Sequence, residues 1–225
     1  MTMGNVSASS GMVVGLLLAS GFGRRFDAGG RRNKLLARLP DGRTLVTASA
    51  QALCSVLEHV AVVVPARGTL IEAALTDLPL QLIRNLRAKE GMGASIAVGI
   101  AALRADFPKA SGWLIALGDM PFVAPRTIRS IADAMATHDG DPDDDAPIVA
   151  AAYDGRRGHP VAFRDTLGDE LTSLEGDVGA SVLMKTHRVR LIDCADDGVL
   201  CDIDTLEDLS RARSSNAPSF KPALQ

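Results

Sequence analysis

Apolar runs separated by glycine-rich and charged stretches divide the chain into alternating elements. Residues 12–19 (MVVGLLLA) are continuously apolar, the pattern of a strand buried on both faces of a parallel sheet. Residues 59–64 (HVAVVV), closed by Pro65, predict a second such strand, and 80–84 and 113–117 a third and fourth. Between them, 45–57, 68–77 and 94–103 read as helices, and 20–33 and 85–93 as loops. Pro125 suits the first turn of a helix reaching about Thr137. Residues 148–153 and 160–163 predict strands around a turn at 154–158. A helix over 178–185 and a late strand over 189–193 follow. Thr205, with Asp208 three residues on, has the spacing of a capping box for a last helix.

Strands alternating with helices predict an α/β fold, a three-layer α/β/α sandwich around a mostly parallel sheet. The expected organisation is one domain over 12–213, between a disordered N-terminus (1–11) and a disordered tail (214–225). The acidic run 139–147 (DGDPDDDAP) reads as a solvated connector. No internal repeat is present. Ligands of such sheets sit beyond the carboxyl ends of the strands, so the loops after Ala19, Arg84 and Leu117 are where chemistry is expected.

Composition narrows the function classes. In 225 residues, 47% are apolar but only 4% aromatic, and the net charge is −3. Few aromatics and a slightly acidic balance argue against a nucleic-acid binder. Cys54, Cys194 and Cys201 are odd in number and form no C-x-x-C pair, which argues against a disulfide framework or zinc site and fits a reduced, cytoplasmic setting. The 12–19 run is far shorter than the roughly 20 residues that span a bilayer, so no membrane residence is expected.

The first loop carries the densest chemistry: Leu18-Ala19-Ser20-Gly21-Phe22-Gly23-Arg24-Arg25-Phe26, then Asn33-Lys34-Leu35-Leu36. Gly21 and Gly23 let the backbone bend and present N–H groups to an anion, while Arg24 and Lys34 add positive charge. A dinucleotide fingerprint would need a third glycine where Phe26 stands, and no Gly-Lys-Ser/Thr of a Walker loop occurs. Asp119, in Gly118-Asp119-Met120-Pro121, ends a buried strand at the same edge. Asp202 and Asp204 alternate onto one side if their segment is extended. Gly91-Met92-Gly93-Ala94-Ser95 lies between a strand and a helix, where its glycines permit close approach of a planar ligand and Ser95 offers a hydroxyl. His159 follows a basic turn, Arg156-Arg157.

These segments together resemble the nucleotidyltransferases that activate molybdopterin and sugar phosphates, and most of all the molybdenum cofactor cytidylyltransferase branch of the MobA-like NTP transferases. The resemblance rests on the 17–36 loop, Gly91-Met92-Gly93-x-Ser95, Gly118-Asp119-x-Pro121, Gly158-His159-Pro160-Val161, Gly176-Asp177-x-Gly179-Ala180 and Asp202-Ile203-Asp204-Thr205-Leu206-Glu207-Asp208-Leu209, in family order. The chain departs from the pattern at Ser20 (usually Ala), at Leu206 (usually Pro) and in a slightly long 27–32 stretch.

The resemblance implies a Rossmann-related fold like that of the nucleotide-diphospho-sugar transferases. It implies magnesium held by Asp119 and Asp204, with Asp202 the alternative, and Arg24, Lys34 and Asp119 as catalytic groups. Leu18, Ala19, Ser20, Gly21, Gly23, Asn85, Gly91, Met92, Gly93 and Ser95 would bind the nucleotide, with Arg84 nearby. His159 and Asp177, and Arg156 or Arg157, would face the acceptor. The implied reaction moves CMP from CTP to molybdenum-loaded molybdopterin and releases pyrophosphate, with a transient contact to a molybdenum hydroxylase. Guanylyl transfer, or transfer to a sugar or alcohol phosphate, would keep the same loop and carboxylates. A non-catalytic nucleotide-binding chaperone would keep the glycines but not need the acids.

Overall fold

The computed structural model describes residues 11–21, 26, 33–137 and 146–214, with the backbone alone for 213–214. The expectations for residues 1–10, 138–145 and 215–225, and for Gly23 and Arg24, lie outside the described residues.

Among the described residues, seven strands form one sheet: β1 (Val13–Leu18), β2 (Val60–Pro65), β3 (Gln81–Asn85), β4 (Gly112–Leu117), β5 (Ile148–Tyr153), β6 (Arg156–Arg164) and β7 (Val189–Asp193), in the order β3-β2-β1-β4-β6-β5-β7. β1 to β4 pair in parallel, and β5 pairs in parallel with β7. Only β6 runs antiparallel to its neighbours, β4 and β5. This is the mostly parallel α/β sheet the apolar runs predict.

Strand periodicity divides the core into two layers. Leu17 of β1, Val60, Val62 and Val64 of β2, Leu114 of β4 and Val149 of β5 face one side. They pack under α1 (Leu45–Cys54), α2 (Thr69–Leu75) and α4 (Pro125–Ala136), through Val46, Ile71 and Ile131 among others. Val14, Leu16, Val63, Trp113, Ile115 and Phe163 face the other side, against α3 (Met92–Asp106) and α5 (Gly168–Thr172). Helices on both faces make the three-layer sandwich.

Three elements differ from the sequence expectation. α3 begins at Met92, two residues early, so Gly93 and Ser95 lie inside its first turns. The turn between β5 and β6 is only Asp154-Gly155, both at positive φ (51° and 70°), the two-residue hairpin that Asp-Gly favours. β6 therefore starts at Arg156, where polar, exposed residues hide the strand pattern. The 178–185 stretch is a tight turn at Ala180–Val182 leading into a four-residue helix, α6 (Leu183–Thr186). Its start is tied down by Gly93 N–H donating to the Gly176 carbonyl at 2.8 Å.

Buried Asp196 fixes where α4 begins, just past the end of β4. Its carboxylate accepts from Ala124 N (2.9 Å), Thr127 Oγ1 (2.6 Å) and Gly198 N (3.2 Å). Each of these donors would be left unsatisfied in Asp196→Ala, a cost that dominates the loss of the bonds themselves. The expected effect is a loss of about 2–4 kcal/mol in a urea unfolding titration; a change within about 0.5 kcal/mol would contradict it.

Candidate active site

The carboxyl ends of β1, β3 and β4 open into a cleft of about 360 Å³. β1 supplies Leu18, Ser20 and Gly21; β4 supplies Leu117 and Asp119; the α3 entrance supplies Gly91, Met92 and Ser95. Lys34, Leu35 and Asp177 complete the wall, together with Ala88 and Lys89. The strand-end rule thus locates the cleft from the topology alone.

Its charged end is built on Lys34. Asn33 Oδ1 accepts from Leu35 N (3.0 Å) and turns the chain into a short helical turn, Lys34–Leu36. Leu35 enters the core, 4% exposed, which fixes where Lys34 projects. The Lys34 ammonium donates to Asp119 Oδ2 at 2.6 Å and to Asp204 Oδ1 at 2.7 Å. Burial alone would lower the Lys34 pKa, but the charges and hydrogen bonds of Asp119 and Asp204 outweigh it and leave the pKa raised.

The two acids are brought together by backbone ties. Ile203 N donates to the Asp119 carbonyl at 3.0 Å, and Gly118 N to the Leu18 carbonyl at 3.0 Å. Beyond Asp204, the capping box forms: Asp208 N donates to Thr205 Oγ1 (3.1 Å) and Thr205 N to Asp208 Oδ2 (2.8 Å), starting α7 (Leu206–Ser214). Ile203, Leu209, Leu45 and Phe26 pack in one small apolar cluster, which anchors the acid-bearing segment against α1. Asp202 lies on the exposed side of this segment and makes none of the Lys34 contacts. Partial burial of its carboxyl, then the charges of Asp204 and Asp119, hold its pKa up.

Asp119 Oδ1 is out of solvent without a hydrogen-bond partner. An orphaned carboxylate oxygen, beside a second acid already gathered on a cation, suits a divalent ion. Among the described residues no cluster of three or more His, Cys, Asp or Glu converges, so the remaining ligands would have to come from phosphate and water, as magnesium prefers.

The other wall is a hydroxyl and glycine framework. Gly91 sits at φ 122°, open to glycine but not to other residues, and a Cβ there would strike the Asp177 carboxylate. A Cβ on Gly93 would lie 2.5 Å from the Val178 carbonyl oxygen. These glycines therefore serve close backbone packing of 90–93 on 175–178, which seats Asp177 at the cleft.

Several sequence candidates lie behind the wall. Ala19 and Asn85 are fully buried. Asn85 Nδ2 donates to Ser95 Oγ (3.0 Å) and its Oδ1 accepts from Arg87 N (2.8 Å), so it positions Ser95. Arg84 pairs with Glu72 on the outer edge. Arg156 and Arg157 are exposed at the start of β6. His159 lines a separate small cavity beside Leu117, Met120 and Pro160. Burial, with the Arg157 charge, lowers its pKa against the pull of Asp119. Lys89, absent from the sequence candidates, adds a second cation to the cleft. Its signal was its place in a loop after a parallel strand.

A model of the MobA-like NTP transferase domain matches residues 15–191, which carry β1 through most of β7. The chain belongs to the MobA-like NTP transferase family. Among its relatives in that setting, nicotine blue oxidoreductase of Paenarthrobacter nicotinovorans is 32% identical over 211 residues, spanning 88% of this chain and 95% of that protein. Rv0371c of Mycobacterium tuberculosis H37Rv is 26% identical, with TM-score 0.71 over 92% of this chain and 99% of its own. Its complex with manganese superposes with TM-score 0.67 at 25% identity, over 91% and 99% of the two chains. A nucleotidyl transferase from Methanothermobacter thermautotroptrophicus, 24% identical, shares the fold with TM-score 0.71 over 90% and 96%. No helix among the described residues is long and apolar enough to cross a membrane.

The raised Lys34 pKa sets a pH signature. Because the Lys34 pKa is raised above that of an ordinary lysine, its stabilisation is fully present below the ordinary lysine pKa and fades as pH rises through the folded pKa. Lys34→Met is expected to lose about 3 kcal/mol in chemical denaturation near pH 8, with the gap to the wild type narrowing only above the ordinary lysine pKa of about 10.4. A gap that is constant across this range would contradict the ion-pair account.

Proposed function

We propose that the chain is a nucleotidyltransferase that moves CMP from CTP to a molybdopterin-type acceptor. The observation that carries this reading is the Lys34 ammonium gathered between Asp119 and Asp204 at one end of a cleft whose other wall is Ser20, Gly91 and Ser95. Such a cleft can take a polyanion by one end and a nucleoside by the other.

In the proposed reaction an acceptor phosphate oxygen attacks the α-phosphorus in line, the bond to the β-phosphate oxygen breaks, and pyrophosphate leaves. The attacking oxygen is already anionic, so positioning and charge neutralisation carry the rate. Gly21, Gly23, Arg24 and Lys34 are assigned to the phosphates, the two cations as their counter-charge. Asp119 and Asp204 are the proposed holders of magnesium, which when bound would screen the phosphate charge. Lys89 is a further counter-charge. Asp177 and His159 are assigned to the acceptor side, Asp177 at the cleft wall and His159 from its own cavity, which shares Leu117 with the cleft. A transient contact with a molybdenum hydroxylase receiving the product is part of the same proposal.

The choice of CTP rests on the Gly91-Met92-Gly93-x-Ser95 run, and GTP or another acceptor phosphate would suit the same loop and acids. A second reading comes from the relative named nicotine blue oxidoreductase: reduction of a pigment of that kind. Hydride or electron transfer has no need of two acids around a lysine, which favours nucleotidyl transfer.

One assay separates these readings. The protein is incubated with molybdenum-loaded molybdopterin and each NTP in turn, and pyrophosphate release is measured; in parallel, reduction of nicotine blue by an added hydride donor is followed by absorbance. Pyrophosphate release with CTP is expected, falling by about 10²-fold or more in Asp119→Asn with unchanged circular dichroism. Preference for GTP overturns the cytidylyl assignment, and pigment reduction without pyrophosphate release overturns the transferase reading.

A further inference from the structure

Ser20 stands where the family pattern has alanine, and it is one of the residues lining the cleft, 4% exposed. The hydrogen bonds around it fix which way its proton points. Arg87 N–H can only donate, and it donates to Asn85 Oδ1 at 2.8 Å. That sets the orientation of the Asn85 amide, so its Nδ2 must donate to Ser95 Oγ, 3.0 Å away. The Gly91 carbonyl can only accept, and it takes the single Ser95 hydroxyl proton at 3.1 Å. The Ser20 and Ser95 oxygens are 2.6 Å apart. With the Ser95 proton committed elsewhere, the proton between them belongs to Ser20.

Ser20 Oγ therefore has no proton left for a ligand and can only accept from one. A phosphate or carbonyl oxygen set against it would meet repulsion, whereas an N–H or O–H group would be bound. The charged end at Lys34 suits the phosphates, which leaves the nucleoside for this wall.

We propose that Ser20 is a specificity-determining residue: an acceptor-only contact that selects a nucleotide presenting a hydrogen-bond donor. Resting on the nucleotidyltransferase reading, this narrows the donor to the 4-amino group of cytosine or a ribose hydroxyl. Uracil has a carbonyl oxygen at the same ring position and would meet the lone pairs unpaired. The framework that orients Ser20 is itself buried: Ser95 is 3% exposed and Asn85 fully enclosed. Water therefore cannot readily reverse the polarity.

The test is calorimetric binding of CTP, UTP, 2′-deoxy-CTP, 3′-deoxy-CTP and a CTP analogue lacking the 4-amino group, to the wild type and to Ser20→Ala. The wild type is expected to favour CTP over one partner in this set by roughly tenfold, and Ser20→Ala to bring that ratio close to one. Loss of the CTP/UTP ratio assigns the contact to the base amino group, and loss of a deoxy ratio assigns it to the ribose. The analogues read the same contact in the wild type, so the result does not depend on the variant folding. Ratios unchanged by Ser20→Ala, or a wild type that prefers UTP, overturn the Ser20 proposal while leaving nucleotide binding standing. Failure of every nucleotide to bind overturns the transferase reading instead.

Discussion

The candidate site is organised by one electrostatic contact: the ammonium of Lys34, a residue 8% exposed, shared by two carboxylates that lie 85 and 170 residues further along the chain. Two acids held this close in a half-buried place repel one another unless a cation lies between them. The fold must therefore deliver three segments to one point, and the sheet provides the means. β1 and β4 are adjacent and parallel, so the loops that follow them leave from the same edge, one leading to Lys34 and the other to Asp119. Asp204 arrives from the far end of the chain and is fixed by the Ile203 N–H bond to the Asp119 carbonyl.

The opposite wall depends on packing of backbone on backbone. Gly91 and Gly93 let the start of α3 lie against 175–178, and this brings Asp177 to the cleft from a region with no strand of its own there. Behind it, Asn85 and Ser95 form a buried hydrogen-bonded scaffold under Ser20. One end of the cleft is thus governed by charge and the other by hydrogen-bond polarity, a division that fits a ligand with a polyanionic tail and a polar ring.

Much of this was legible in the sequence because buried parallel strands are continuous apolar runs, and the loops that follow them locate the site. The 12–19 run and the HVAVVV run marked β1 and β2 to within a residue or two. The short motifs around Lys34, Asp119 and Asp204 stood out because charge directly after an apolar strand is informative. What the sequence hid follows from physics that spacing does not encode. Asn85 looks like a ligand contact until its amide is seen to be used at both ends. Gly91 looks like room for a planar ligand, but its positive φ and the nearness of Asp177 make it a packing glycine. Lys89 sits in a polar loop like any surface lysine. The start of β6 carries polar residues, so the hairpin turn read as five residues where two suffice.

Asp119 and Asp204, joined through Lys34, are proposed to act as one site for a divalent ion. Manganese binding followed by electron paramagnetic resonance, with CTP present, tests it most directly. The wild type is expected to bind the ion and Asp119→Asn and Asp204→Asn each to weaken binding by at least about tenfold, while Asp202→Asn, on the outer side of the same segment, changes it far less. Equal manganese affinity in the wild type and in both Asp119→Asn and Asp204→Asn would contradict it.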